Sequence, residues 1–347
     1  SPKFPSPPTQ AEVPTKGGPS SATYPGPEPP QGLLGGWEKL PEGWSFVEVA
    51  GVATDSQDRV YAFNRGDHPM IVFDRDGNFL DAWGEGVFTN AHGIFIGPDD
   101  TVYAVDNFDH TVRIFDRDGT LKQTLGKKDT PSDTGFVPSK SPVRRRAGPF
   151  NRVTNLALGT GGEMYVAEGY GNAAVHHFTA AGEYEFSWGE PGSGPGEFVL
   201  PHGIAVDKRN TVYVADRENS RIQVFDADGG YLTEWNNVTR PDDLFIDDDE
   251  NLFVAELGER AGIDPSVTVP PHAPHASVAI LTLDGELQTR FGGEDAVAPG
   301  NFFAPHGIWA DSRGDLYVSE VTYSGGGRFG LVPLDCHSLQ KFVRIRD

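Results

Sequence analysis

Short runs of apolar residues rich in Val, Ile, Tyr and Phe recur along the whole chain, separated by turns built from Asp, Asn and Gly. The clearest stretch, 201–235, predicts four strands: an inner one over 203–206, then 211–215, 221–225 and an outer one over 231–235. The turns between them read Asp207-Lys208-Arg209-Asn210 and Asp226-Ala227-Asp228-Gly229, residues that accept the dihedrals tight hairpins require. A four-stranded unit repeating about every 40–45 residues is a propeller blade.

Six copies align. Their inner strands are expected to begin near Val49, Ala91, Val153, Pro201, Pro241 and Pro305, and their second strands to end at Asn64, Asp106, Glu168, Asp216, Glu256 and Glu320. The expected fold is therefore all-β, a six-bladed β-propeller with four-stranded blades. The sixth copy runs out of chain after its third strand, near Asp347. The segment 44–47 is expected to supply the outer strand that completes it, which closes the ring and hides the edges of an open array. The other arrangement compatible with the repeats is an open stack of sheets.

Composition divides the chain in two. Residues 1–36 are Pro-rich without strand or helix period, and read as an extended arm or linker; 37–347 form the propeller. A net charge of -22 argues against nucleic acid as a partner, and no apolar run is long enough for a membrane span. Cys336 is the only cysteine, so no intrachain disulfide is expected. No signal peptide is visible, and the Pro-, Ser- and Thr-rich start at Ser1 suits the mature end of an exported protein.

Chain direction sorts residues by face. The starts of inner strands and the ends of second strands fall at the same end of every blade. The long insertions 127–149, 257–277 and 321–338 fall at that end too. Long loops gathered on one rim usually build a site and restrict access to it.

At the six equivalent inner-strand positions stand Ala50, His92, Thr154, His202, Asp242 and His306. Histidine occupies alternate blades, about 120° apart in a closed ring. Three neutral imidazoles with a fourth position open describe a catalytic zinc site, and other divalent transition metals accept the same donors. Near them fall Arg65, Tyr170 and Arg217. An arginine offers a planar fork for a substrate carboxylate, and Tyr170 is a candidate acid or base. The competing role for Arg217 is a salt bridge to a neighbouring blade. Asp106, Glu168, Asp216, Glu256 and Glu320 read as a ring that satisfies backbone amides and orients the histidines. His176 and His177 read as structural. His272, His275 and His337 lie in the insertions, and His68 follows Arg65-Gly66-Asp67.

These motifs carry a resemblance. The blades look like NHL repeats. From about Arg65 onward the chain resembles the peptidyl-α-hydroxyglycine α-amidating lyase family, through Arg65-Gly66-Asp67-His68, Ala91-His92-Gly93-Ile94, Glu168-Gly169-Tyr170-Gly171-Asn172, Pro201-His202, Val214-Ala215-Asp216-Arg217-Glu218-Asn219 and Pro305-His306. The resemblance implies that His92, His202 and His306 hold zinc, that Arg65 and Tyr170 serve catalysis, and that a carbinolamide C–N bond is split into an amide and glyoxylate. It implies a small-molecule or peptide substrate carrying a carboxylate. Gly307 stands where the family has an aspartate ligand to structural calcium, which argues against that ion, although backbone carbonyls near Val52 and Ile94 remain available. The family's disulfides cannot form with one cysteine, and no copper monooxygenase half is present in this sequence. Two other readings stand beside this one. The same histidines suit a metal-dependent hydrolase, lactonase or hydratase, and NHL propellers also serve as non-catalytic binding modules.

Overall fold

The computed structural model describes residues 36–263, 269–270 and 272–344. The arm expected over 1–36 lies outside the described residues except for Gly36. The rest folds into six antiparallel sheets, five of four strands and one of three. The inner strands are Val49–Thr54, Ala91–Ile96, Val153–Leu158, Pro201–Val206, Pro241–Ile246 and Pro305–Ala310, as the repeat predicts. No helix among the described residues is long and apolar enough to cross a membrane.

Local chemistry explains the hairpins. In the turn after Arg221–Phe225, the Asp226 carboxylate accepts hydrogen bonds from the amides of Asp228 and Gly230 at 3.0 and 2.7 Å. Asp74 and Asp116 make the same turn in the first two blades. The apolar residues on the blade faces meet between neighbouring sheets rather than in one central core. Tyr165, Val175 and Trp188 of the third blade, for example, pack with Ile204, Val214 and Phe225 of the fourth.

Register fixes which residues share a face. Val49 pairs with Asn64, Ala91 with Asp106, Val153 with Glu168, Pro201 with Asp216, Pro241 with Glu256 and Pro305 with Glu320. Each second-strand end is thus bonded to an inner-strand start. Its side chain then reaches back to an amide just ahead of that inner strand. Asp216 accepts from the Val199 amide at 2.8 Å, Glu256 from Thr239 at 2.8 Å and Glu320 from Phe303 at 2.8 Å. Asp106 and Glu168 do the same with Thr89 and Asn151, and Asn64 with Val47. The carboxylate ring therefore satisfies backbone amides, as expected. It does not orient the histidines, which take their partners elsewhere.

Ring closure differs in detail from expectation. Segment 44–47 forms no strand, and the sixth sheet has three strands among the described residues. Trp44 stacks flat on His68, with centroids 3.3 Å apart, and meets Phe79 edge-on, while Phe46 packs on Phe73. Lys39 donates its amide to Gly77 O at 2.8 Å. The aromatic side chains of 37–46 thus pack on the first blade and, through Trp37, on Tyr317 and Lys341 of the sixth, without pairing as a strand at its edge. The seam between these blades is closed by side chains instead: Tyr317 and Leu339 join Val49, Val52, Ile71 and Phe73 in one cluster, flanked by Trp37, Leu40, Trp44 and Phe46.

The His-Gly-Ile repeat has a packing reason behind its glycine. A Cβ on Gly203 would stand 2.6 Å from Asp243 Cα, and one on Gly93 would stand 2.7 Å from Thr154 O. At these glycines the neighbouring inner strand approaches too closely to leave room for a side chain.

Candidate metal centre

His92, His202 and His306 converge on the axis. Their ring centroids are 4.8, 4.6 and 4.9 Å apart, close to an equilateral triangle. They are 2%, 2% and 5% exposed. Each Nδ1 bonds the backbone carbonyl at the equivalent position of the next blade: His92 to Thr154 O at 2.7 Å, His202 to Asp242 O at 2.7 Å, and His306 to Ala50 O at 2.6 Å. A carbonyl can only accept, so Nδ1 carries the proton and Nε2 presents its lone pair. One ligand atom from each ring lies within 4.8 Å of the other two. Nε2 of His92 is buried without a hydrogen-bond partner, an uncommon state for such a group.

Electrostatics keep the rings neutral. Burial holds His92 and His202 well below the usual imidazole range, helped by His306 and Arg65 for the first and by Arg217 for the second. Burial and then Arg65 bring His306 down to about 3. Neutral, pre-oriented, buried imidazoles fit a transition metal ion.

Around them lie the other expected residues. The Tyr170 hydroxyl is 3.2 Å from His202 Nε2, and Arg217 donates to that hydroxyl at 3.1 Å. Arg217 also donates to Asp242 Oδ1 at 3.1 Å and to Glu218 at 2.9 Å. It is thus both a buried ion-pair partner and a neighbour of the site. Burial lowers its pKa, but Tyr170, Asp242 and Glu218 outweigh that and raise it above the ordinary value. Arg65 donates to Ala91 O at 2.8 Å and to Glu48 at 2.9 Å.

Tyr170, Arg65, Arg217, Asp242 and His306 line one pocket of about 240 Å3. Its outer wall comes from the insertions of the fifth and sixth blades. Leu257 and Ala261 contribute from the first, and Val321, Ser324 and Arg328 from the second. The two insertions are joined by a bond from Gly262 N to Gly325 O at 2.9 Å. The insertion 127–149 lines none of this pocket; Thr134 there anchors to Gly171 O instead. His176 bonds Glu168 at 2.7 Å and Ser187 at 2.6 Å, a structural role as expected, and His177 pairs with Glu185 at 2.9 Å. His68 pairs with Glu85 at 2.7 Å, and His337 with Glu320 at 3.0 Å.

Three contributors escaped the sequence. Glu48, buried beneath Arg65, accepts from Arg65 with one oxygen and from the Ser324 amide, at 2.7 Å, with the other. Arg240 lines the pocket while paired with Glu218 at 3.0 Å. Arg328 lines it with no carboxylate partner among the described residues. Glu48 and Arg240 share a repeat position, one residue ahead of the inner strand, where the other blades have Asn90, Arg152, Leu200 and Ala304. Reading that position across the repeats would have exposed both.

A closed propeller of short antiparallel blades, with a tri-histidine cluster on its axis, defines the class of protein. The chain belongs to the family of NHL repeat-containing protein 3: it is 35% identical to the human protein over 298 residues, 82% of this chain and 80% of that one. A family model for the NHL repeat matches residues 198–225. The chain is also 26% identical over 207 residues to the probable peptidyl-alpha-hydroxyglycine alpha-amidating lyase of Caenorhabditis elegans, covering 52% of this chain and 56% of the relative. Among solved structures, virginiamycin B lyase from Staphylococcus aureus superposes with a TM-score of 0.53 at 14% identity, over 86% of this chain and 96% of that one, a likeness of fold.

Proposed function

We propose that this propeller is a metal-dependent lyase that splits a carbinolamide-type C–N bond of an α-hydroxyglycine-like substrate, releasing an amide and glyoxylate. The observation that carries the reading is the chain of contacts from Arg217 to the Tyr170 hydroxyl to Nε2 of His202, at 3.1 and 3.2 Å, with Arg217 and Tyr170 on the wall of the pocket. The relationship to an amidating lyase supports it.

In this reading His92, His202 and His306 hold zinc or another divalent transition ion, which supplies Lewis acidity at the substrate's hydroxyl or carboxylate. The protein's own groups do the rest. Tyr170 takes the proton of the carbinol hydroxyl, while Arg217 fixes the position of the tyrosine oxygen. As that O–H bond breaks, the carbon–oxygen double bond forms and the C–N bond yields its electron pair to nitrogen. Nitrogen then takes that proton from Tyr170, so the proton count is unchanged and Tyr170 returns to its starting state. Arg65, braced by Glu48, directs its guanidinium at the substrate. The insertions of blades five and six exclude water from one side of the pocket.

The test is product analysis. Zinc-loaded protein is incubated with an N-acyl α-hydroxyglycine, and glyoxylate and the amide are measured. The reading expects both in equal amounts, above the spontaneous rate. Hydrolysis of the acyl bond instead, or no turnover with metal bound, would refute it.

A further inference from the structure

At the six equivalent axial positions the odd-numbered blades carry Ala50, Thr154 and Asp242. Ala50 has no donor atom in its side chain. The Thr154 hydroxyl is already bonded to Ala167 O at 2.9 Å and Pro201 O at 3.0 Å. Asp242 is different. Its backbone carbonyl receives His202 Nδ1, and its Oδ1 receives Arg217. Its Oδ2 is fully buried and has no hydrogen-bond partner. That oxygen lies 3.7 Å from Nε2 of His306. Two ligands sharing one tetrahedral ion at about 2.0–2.2 Å stand roughly 3.3–3.6 Å apart, so Oδ2 and Nε2 are nearly spaced to share one.

A buried carboxylate oxygen with no donor is costly unless something positive meets it. Arg217 answers the charge from the other oxygen, leaving Oδ2 beside Nε2 of His306. Resting on the metal-centre reading above, we propose that Asp242 is the fourth protein ligand of the tri-histidine site, which makes the donor set three imidazoles and one carboxylate. With that donor set, substrate would have to reach the ion as an added ligand, the five-coordination that catalytic zinc sites sometimes adopt in the transition state. A mixed imidazole–carboxylate set also admits iron and manganese alongside zinc.

The experiment loads metal-free protein with cobalt(II) and compares wild type, Asp242→Asn, Arg217→Met and His202→Ala. Affinity is read by chelator competition, and geometry by the visible d–d bands. The asparagine keeps an oxygen for Arg217 and the carbonyl for His202. The expected result is at least a tenfold loss of cobalt affinity and a changed spectrum in Asp242→Asn, with Arg217→Met within threefold of wild type. Equal effects in both variants would mean that Asp242 serves only to hold Arg217, and would overturn the proposal. So would wild-type affinity and spectrum in Asp242→Asn. If that variant fails to fold, a wild-type crystal soaked in zinc decides: Oδ2 within about 2.2 Å of the ion supports the assignment, and Oδ2 outside the coordination sphere refutes it. Cobalt bound by wild type and lost in His202→Ala, with Asp242→Asn unaltered, leaves the metal centre standing and removes Asp242 alone. No binding by wild type removes both.

Discussion

The hydroxyl of Tyr170 lies 3.2 Å from Nε2 of His202, so the candidate proton carrier and a candidate metal ligand share one hydrogen bond. The two sit in different blades, Tyr170 just after the second strand of the third and His202 in the inner strand of the fourth. The ring geometry is what brings them together. Removing the hydroxyl separates chemistry from metal binding. Tyr170→Phe is expected to lower kcat by about 10²–10⁴-fold, with metal content unchanged by elemental analysis. A variant that lost its metal as well would make Tyr170 a structural support instead.

Glu48 braces Arg65 and reaches Ser324 of the sixth-blade insertion. Glu48→Gln keeps the size but weakens both contacts. Steady-state kinetics should show kcat/KM falling by roughly tenfold, the loss of about 1.4 kcal/mol that one charge-assisted bond supplies. Arg65→Ala should fall further. Equal kinetics for wild type and Glu48→Gln would remove Glu48 from the account.

Burial of neutral histidines predicts an acid sensitivity. His306 is held at about 3 in the folded chain, below the ordinary 6.5. The unfolded chain therefore binds a proton on His306 that the folded chain refuses. The resulting stability is full above pH 6.5 and is lost as pH falls toward 3, by about 1.4 kcal/mol per unit. His92 and His202 shift in the same direction. Urea unfolding of metal-free wild type and His306→Gln, at pH 7.5 and pH 5, isolates one ring. Wild type should lose about 2 kcal/mol relative to the variant between these values. A constant difference would show that His306 titrates normally.

The axial glycines predict a purely steric effect. Gly203→Ala would drive a Cβ to 2.6 Å from Asp243 Cα, and this contact is backbone that cannot swing aside. A loss of about 1–3 kcal/mol and a lowered Tm are expected. Unchanged thermal stability would mean that the inner strands have room to separate.

Much of this architecture was legible because each blade repeats its hairpin chemistry. The inner-strand starts from Val49 to Pro305, and the second-strand ends from Asn64 to Glu320, fall where the repeat places them. The alternation of His92, His202 and His306 then implied their convergence without further information. What escaped was set by contacts distant in sequence. Segment 44–47 has strand-like residues, but the stacking of Trp44 on His68 decides its course. The histidine orientation comes from carbonyls of Thr154, Asp242 and Ala50, which no side-chain pattern encodes. Glu48 meets Ser324 across 276 residues of chain, and nothing local in either segment announces the pairing.

The most direct test is the metal content of wild-type protein purified without added metal, measured by mass spectrometry beside His202→Ala. The account predicts close to one transition-metal ion per chain in the wild type and its loss in the variant. A wild-type chain that holds no tightly bound transition metal, even after zinc is offered, would contradict it.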